Sequence, residues 1–353
     1  MTLASPSSHG FSGPINLGKL ILHFMQSKTL LPMTMEDAYA NNIGLQEFDL
    51  YHNLPFMMQL QLVVFAGIKR LPSSQEAAVE HQILDCLARM VYGSNMIEHA
   101  GRDLDITLKL CLATFGGEEI PEDIGETNEE FLALKQHLMQ QNLPSNTSKV
   151  LRSRNEIVQH AKAAAFIISQ LCVHGANLSE EIILETHRIL TYKVDAENAP
   201  WAEYGGVYRL AEVSVGLRAF PHPSLVPYKM SGMIRELQSD LKEAVDDGTI
   251  DAIALAAKYT HIFANIHPFI DGNGRMCRLI LNALLIKLGS VLVCIGEDET
   301  DRSTYLDINA NAGALEDMYE DAEEDEKPKL YKELATFTLA HVHKIMMKLN
   351  RVT

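Results

Sequence analysis

One stretch constrains this chain more than any other: His267-Pro-Phe-Ile-Asp-Gly-Asn-Gly-Arg-Met-Cys-Arg278. An imidazole, a carboxylate, an amide, two glycines and two guanidinium groups are followed at once by the mostly apolar run Leu279 to Leu288. The pattern predicts a polar loop that feeds a buried helix.

The groups in that loop suggest a chemistry. Glycines on both sides of Asn273 allow a tight backbone whose N–H groups face a ligand just before a helix starts, and such a helix N-terminus is an anion site. Arg275 and Arg278 lie three residues apart in the first turn and can reach one anion. Their planar forks suit phosphate. Asp271 is a hard oxygen ligand for Mg²⁺, which binds through one carboxylate plus substrate phosphates. His267 titrates near neutrality and can take a proton from a hydroxyl. Together they point to phosphoryl or nucleotidyl transfer. An EF-hand fits poorly, because Arg275 replaces an oxygen ligand and Asn282 stands where the bidentate Glu belongs. A Walker A loop lacks its Gly-Lys-Ser/Thr, and zinc would need more ligands than His261 and His267.

The flanking chain reads mostly as helix. Leu255, Tyr259, Ile262, Phe263 and Ile266 space a helix over 251–266 that delivers the chain to His267. Further helices are expected over 74–98, 152–174, 228–246 and 330–349, from Ser179 to about Tyr192, and from about Asp301. His187 reads as a packed or surface histidine. Short helices are expected within 16–70, and a surface insertion over 116–149 holds one near Glu129–Gln140. Residues 1–15 read as disordered and 316–326 as an acidic solvated stretch. Period-two alternation occurs in Tyr204–Arg209 and Glu212–Gly216, which predicts one β-hairpin, and Val291–Ile295 is a short β-rich run. A lone hairpin must lie on something, which makes it a candidate flap over the loop.

Composition narrows the partners. The net charge of -16 without a basic stripe argues against nucleic acid or an anionic membrane as partner. The apolar run 54–68 is interrupted by Gln59 and Gln61 and is too short for a bilayer. The N-terminus lacks the basic and apolar regions of a secretory signal. Five scattered cysteines without CxxC spacing signal neither a disulfide framework nor zinc. The expected location is the cytoplasm or nucleus.

The loop resembles the signature of the Fic family, H-x-F-x-[DE]-G-N-G-R-x-x-R, and His267, Phe269, Asp271, Gly272, Asn273, Gly274, Arg275 and Arg278 fill every fixed position. The resemblance runs from Leu178 to about Ala312, through Gly206-x-Tyr208-Arg209, Phe220-Pro-His-Pro223 and Arg302-x-x-Tyr305. It implies an all-α fold, a helical bundle with one β-hairpin flap and the loop between two central helices. It implies transfer of AMP from ATP to a Ser, Thr or Tyr hydroxyl of a protein target. His267 would deprotonate that hydroxyl and Asp271 would hold Mg²⁺. Gly272, Asn273, Gly274 and Arg275 would hold the α- and β-phosphates, Arg278 the γ-phosphate, and Tyr305 would also touch the nucleotide. The flap, through Val207, Tyr208, Arg209 and Val213, would align the target by strand addition. Phe269 would be a core anchor.

Ser94 and Glu98 share a helix face at i,i+4, which alone is an ordinary local pair. Family resemblance gives them another role. Ser94-Asn-Met-Ile-Glu98 resembles the inhibitory motif [ST]-x-x-x-E-[GN], with His99 where Gly or Asn is usual. The implied device is a Glu98–Arg278 pair that removes the γ-phosphate's partner. The implied organisation is a tail and helical extension over 1–72, the inhibitory helix with the acidic insertion over 73–150, and the catalytic domain over 151–350. A homodimer could clamp the inhibitory helix. Two other readings stay open: a phosphodiesterase that removes AMP from a modified protein, and a nucleotide-binding adaptor with a silent site. Nothing in the sequence reads the base, so UTP or a phosphocholine carrier remains open as donor.

Overall fold

The apolar run after the loop is helical over Asn273–Gly289, and from Met276 through Ile286 every side chain is buried. A helix apolar on all sides belongs at the centre of a bundle. Burying each Leu or Ile contributes about 1.5–3 kcal/mol, so this helix is the principal anchor of the fold. A computed structural model of the protein describes residues 16–34, 63–101, 103–197, 199–215, 218–319 and 328–353. The expected disorder of 1–15, part of the short-helix region and most of the acidic stretch therefore lie outside the described residues.

In chain order the helices are α1 (Leu17–Ser27), α2 (residues 63–69), α3 (Ser73–Ile97), α4 (Leu104–Phe115), α5 (Glu129–Gln140) and α6 (Thr147–Ile168). A π-helical turn over Ser169–Val173 follows, then α7 (Glu180–Leu190), α8 (Trp201–Tyr204) and the strands β1 (Ser214–Val215) and β2 (Arg218–Ala219). The chain closes with α9 (Val226–Asp247), α10 (Ala252–Ile266), α11 (Asn273–Gly289), α12 (Glu299–Met318) and α13 (Lys332–Leu349). The fold is all-α. Helix α11 packs along α10 and also meets α6 and α3, while α1 and α4 cover α3. One apolar core runs from Leu17 to Leu349. A satellite cluster of Phe131, Leu134, Leu138 and Val150 fixes α5 to α6.

Local chemistry explains most boundaries. Asn146, Ser179, Asp251 and Asp298 each accept a backbone N–H from the first turn of the helix that follows. Helix α3 starts after Pro72, whose fixed φ suits the helix entrance. Gly93 in α3 lets that helix touch the chain after α11: a Cβ there would stand 2.2 Å from the Ile295 carbonyl oxygen.

Several expectations need correction. The hairpin is smaller and later than predicted: Trp201–Tyr204 is helical, 205–213 is irregular, and only Ser214–Val215 pairs with Arg218–Ala219. Val207, Tyr208, Arg209 and Val213 are thus not strand residues. Val291–Ile295 forms no strand either. It is apolar because it is buried, and the Val293 N–H bonds the Asn282 Oδ1 at 2.8 Å instead of a neighbouring strand. Helix α7 ends at Leu190, not Tyr192.

Candidate active site

Helix α10 ends at His267 in the left-handed conformation, φ +49° and ψ +59°. For a non-glycine residue this costs about 1–2 kcal/mol, so the surroundings must hold it. Arg209 does so. Its Nε donates to the His267 carbonyl at 2.8 Å, its Nη1 to Ala211 O at 3.1 Å and its Nη2 to Pro221 O at 2.5 Å, while its backbone N–H bonds Pro268 O at 2.9 Å. Arg209 is 1% exposed. It ties the flap segment to the loop backbone. Of the other expected flap contacts, Val207 is exposed, Tyr208 packs 5.8 Å from the Phe269 ring, and the Val213 carbonyl accepts the Phe220 N–H at 3.3 Å.

The loop closes on itself. Asn273 Oδ1 accepts the Phe269 N–H at 3.0 Å and its Nδ2 donates to Phe269 O at 2.8 Å. The Asn273 side chain is therefore spent inside the loop, and only its backbone N–H can face a phosphate. Gly272 caps α11 with φ +81°, and the first intrahelical bond is Met276 N–H to Gly272 O at 2.9 Å. The N–H groups of Asn273, Gly274 and Arg275 precede that bond, as in any first turn. Behind the loop His187 stacks on Phe269, centroids 3.6 Å apart and planes 3° apart. Its Nδ1 accepts the Gly206 N–H at 2.9 Å and its Nε2 lies 2.9 Å from Asp271 O, which assigns the proton to Nε2. Burial holds its pKa down to about 4, so it is a neutral strut.

The cationic side chains differ sharply. Arg275 is 3% exposed; its Nη2 lies 3.4 Å from both Asp271 oxygens, while its Nε and Nη1 are buried without a hydrogen-bond partner. Buried unpaired donors of this kind are costly, and a phosphate oxygen would satisfy them. Arg278 differs, because α3 holds its Nε and Nη2. Its Nε donates to Ser94 Oγ at 2.7 Å, and its Nη2 to Ser94 O at 3.0 Å and Glu98 Oε1 at 2.6 Å. Tyr305 on α12 lies under the Arg278 guanidinium, 5.4 Å from carbon to ring centroid. The Glu98 carboxylate also presses on the first turn of α11: a Cβ at Gly274 would stand 2.0 Å from Glu98 Oε1. The Glu98 carboxylate thus lies beside the first turn of α11.

The end of α3 is fixed from below. Asn95 Oδ1 lies 2.7 Å from His160 Nδ1, and Asn95 Nδ2 donates to Glu156 O at 3.3 Å. Glu98 caps the helix and His99 follows with φ +55°. The helix therefore stops where Gly or Asn would stop it, with a histidine bearing the left-handed cost. Replacing His99 with glycine is expected to stabilise the fold by about 1 kcal/mol, read as a higher urea midpoint at unchanged slope.

His267 completes the constellation. Burial, with Arg209 and Arg218, lowers its pKa to about 4 against the Ala264 carbonyl and Glu98, which raise it. At neutral pH it is an unprotonated base. Asp271 Oδ1 accepts the Gly272 N–H at 2.6 Å, and its side chain is one-third exposed. No cluster of three or more His, Cys, Asp or Glu among the described residues could cage a metal. One accessible carboxylate beside an anion cradle fits Mg²⁺, whose other ligands come from substrate phosphates and water. No helix among the described residues is long and apolar enough to cross a membrane. The loop brings together every residue the sequence proposed for the nucleotide, with Ser94 and Glu98. It adds His187 and Phe220, the latter stacked on His267 at 3.9 Å.

Residues 177–285 match the model of the Fic/DOC family. A curated relative, protein adenylyltransferase Fic of Drosophila yakuba, is 30% identical over 167 residues, which are 47% of this chain and 31% of the relative. The chain thus spans about a third of the length of the Drosophila relatives it matches. A Fic domain-containing signaling protein of Bacteroides thetaiotaomicron superposes with TM-score 0.58 at 18% identity, covering 85% of this chain and 97% of that one. Fic-1 of C. elegans superposes with TM-score 0.55 at 18% identity, covering 86% and 74%. These likenesses show the fold.

Proposed function

We propose, for a chain that carries a Fic/DOC family domain at residues 177–285, that the protein transfers AMP from ATP to a hydroxyl of a protein target and that Glu98 restrains it. The observation that carries this reading is the pair of buried, unpartnered Arg275 donors at the start of α11, beside a neutral His267. Those donors call for an oxyanion, and the imidazole is ready to take a proton.

The chemistry follows from the groups present. His267 accepts the proton of the target hydroxyl as its oxygen attacks the α-phosphorus. The new O–P bond forms as the bond from the α-phosphorus to its bridging oxygen breaks, and pyrophosphate leaves. Arg275 and the N–H groups of Gly274 and Arg275 hold the phosphate oxygens. Asp271 is the residue that would hold Mg²⁺, which supplies charge neutralisation at the phosphates. Arg278 is the partner for the γ-phosphate, and in this structure it is engaged by Glu98. Arg275 keeps buried donors without a partner while Ser94 and Glu98 hold Nε and Nη2 of Arg278, which supports restraint at the γ-phosphate.

The test uses ATP labelled at either the α- or the γ-phosphate, incubated with the Glu98→Gly protein and candidate acceptors. Label from the α-phosphate enters protein and label from the γ-phosphate does not. Incorporation of the γ-label would establish phosphoryl transfer and overturn the reading.

A further inference from the structure

The flap segment reaches the base through an aromatic ring. Phe220 lies nearly flat on the His267 imidazole, centroids 3.9 Å apart and planes 18° apart. The Phe220 N–H bonds the Val213 carbonyl at 3.3 Å, next to the β1–β2 pair, so the hairpin carries the ring. Arg218 on β2 stands over the same phenyl ring at 5.4 Å, and its Nη1 donates to Asn265 Oδ1 at 3.0 Å, two residues before His267. A Cβ at Gly313 on α12 would meet the Arg218 Nη1 at 2.2 Å, so α12 leaves room for this guanidinium. Arg209 binds both the Pro221 carbonyl, next to Phe220, and the His267 carbonyl. The main chain of the base and the ring against its side chain thus hang on one buried guanidinium.

A base needs more than a free nitrogen. Its lone pair must point at the hydroxyl it deprotonates, and a small misplacement lowers rate without weakening substrate binding. An imidazole on a single Cβ can swing about two torsions. A ring stacked on one broad face removes that swing. We propose that Phe220 is a positioning residue for His267, fixing the plane of the imidazole so that the seat of the flap hairpin sets the aim of the base. This inference rests on the transfer reaction proposed above. The charged groups that act on the imidazole are Arg209 and Arg218 from the flap segment and Glu98 from the end of α3, with the Ala264 carbonyl of α10. Removing the phenyl ring opens the imidazole to water and lets its pKa rise toward the ordinary histidine range.

The experiment compares Phe220→Ala, Phe220→Leu and Phe220→Tyr in the Glu98→Gly protein. Each is read by steady-state AMP incorporation and by the NMR signal of the His267 Cε1–H. Phe220→Ala and Phe220→Leu should lower kcat about 10- to 100-fold with KM for ATP unchanged, and the acid limb of the kcat profile should move up from near pH 4. Phe220→Tyr, which keeps the flat face, should retain the parent kcat. The ring-current shift of the His267 signal should be lost in the Ala and Leu proteins and kept in the Tyr protein. Parent-like kcat in Phe220→Leu, or an unmoved His267 signal, overturns the proposal. A Glu98→Gly parent that incorporates no AMP overturns the functional reading instead, and the imidazole signal in the same samples still decides whether the stack exists.

Discussion

Replacing Glu98 with glycine should raise AMP incorporation by about 10- to 150-fold, the equivalent of the roughly 1.5–3 kcal/mol of a charged hydrogen bond. The carboxylate does two things at once. It holds Arg278 Nη2 at 2.6 Å, and it crowds the Gly274 backbone, which the proposed reaction assigns to a phosphate oxygen. The substitution removes both obstacles and leaves the arginine aimed, because Ser94 still accepts from Nε and Nη2. Glu98 is the C-cap of α3 and not an interior residue, so glycine there does not break the helix. The measurement is transfer of α-labelled AMP to the protein itself or to a partner. Equal labelling of the two proteins would remove Glu98 from any inhibitory role.

Replacing His267 with alanine in the Glu98→Gly protein should cost about 10²–10⁴ in rate, the usual worth of a positioned base. The low pKa of the imidazole, about 4, sets the pH dependence. The neutral form is the competent one, so the rate stays level from pH 8 down through 6 and falls only as the pH approaches 4. Alanine also inherits φ +49° at this position. His267→Asn is therefore the proper companion, since asparagine tolerates the left-handed conformation. Both variants should lose transfer while the folded fraction in urea stays close to that of the parent for Asn.

The loop at 267–278 is legible in the sequence because its groups are contiguous. The Glu98–Arg278 pair was also legible, although 180 positions separate the partners, because the family motif names both ends. Propensity failed where a side chain, not a strand, took the backbone bonds. The alternation at Tyr204–Arg209 looked like β structure, yet the Gly206 N–H goes to His187 and the Arg209 N–H to Pro268. The Asn273 side chain clips the Phe269 backbone, a contact that residue type and spacing alone do not announce. His187 could have been suspected, since it follows Ile183 by four residues on the buried stripe of α7. Phe220 could not, because its contact with His267 depends on how the hairpin folds back onto α10.

The central claim is that one guanidinium, Arg278, serves either Glu98 or the γ-phosphate. Calorimetric titration of ATP and ADP into the wild-type and Glu98→Gly proteins tests it directly. The wild-type protein should bind the two nucleotides with similar affinity, and the Glu98→Gly protein should prefer ATP by about tenfold or more, as expected for a regained charged hydrogen bond. The same ATP-to-ADP ratio in both proteins would contradict the account.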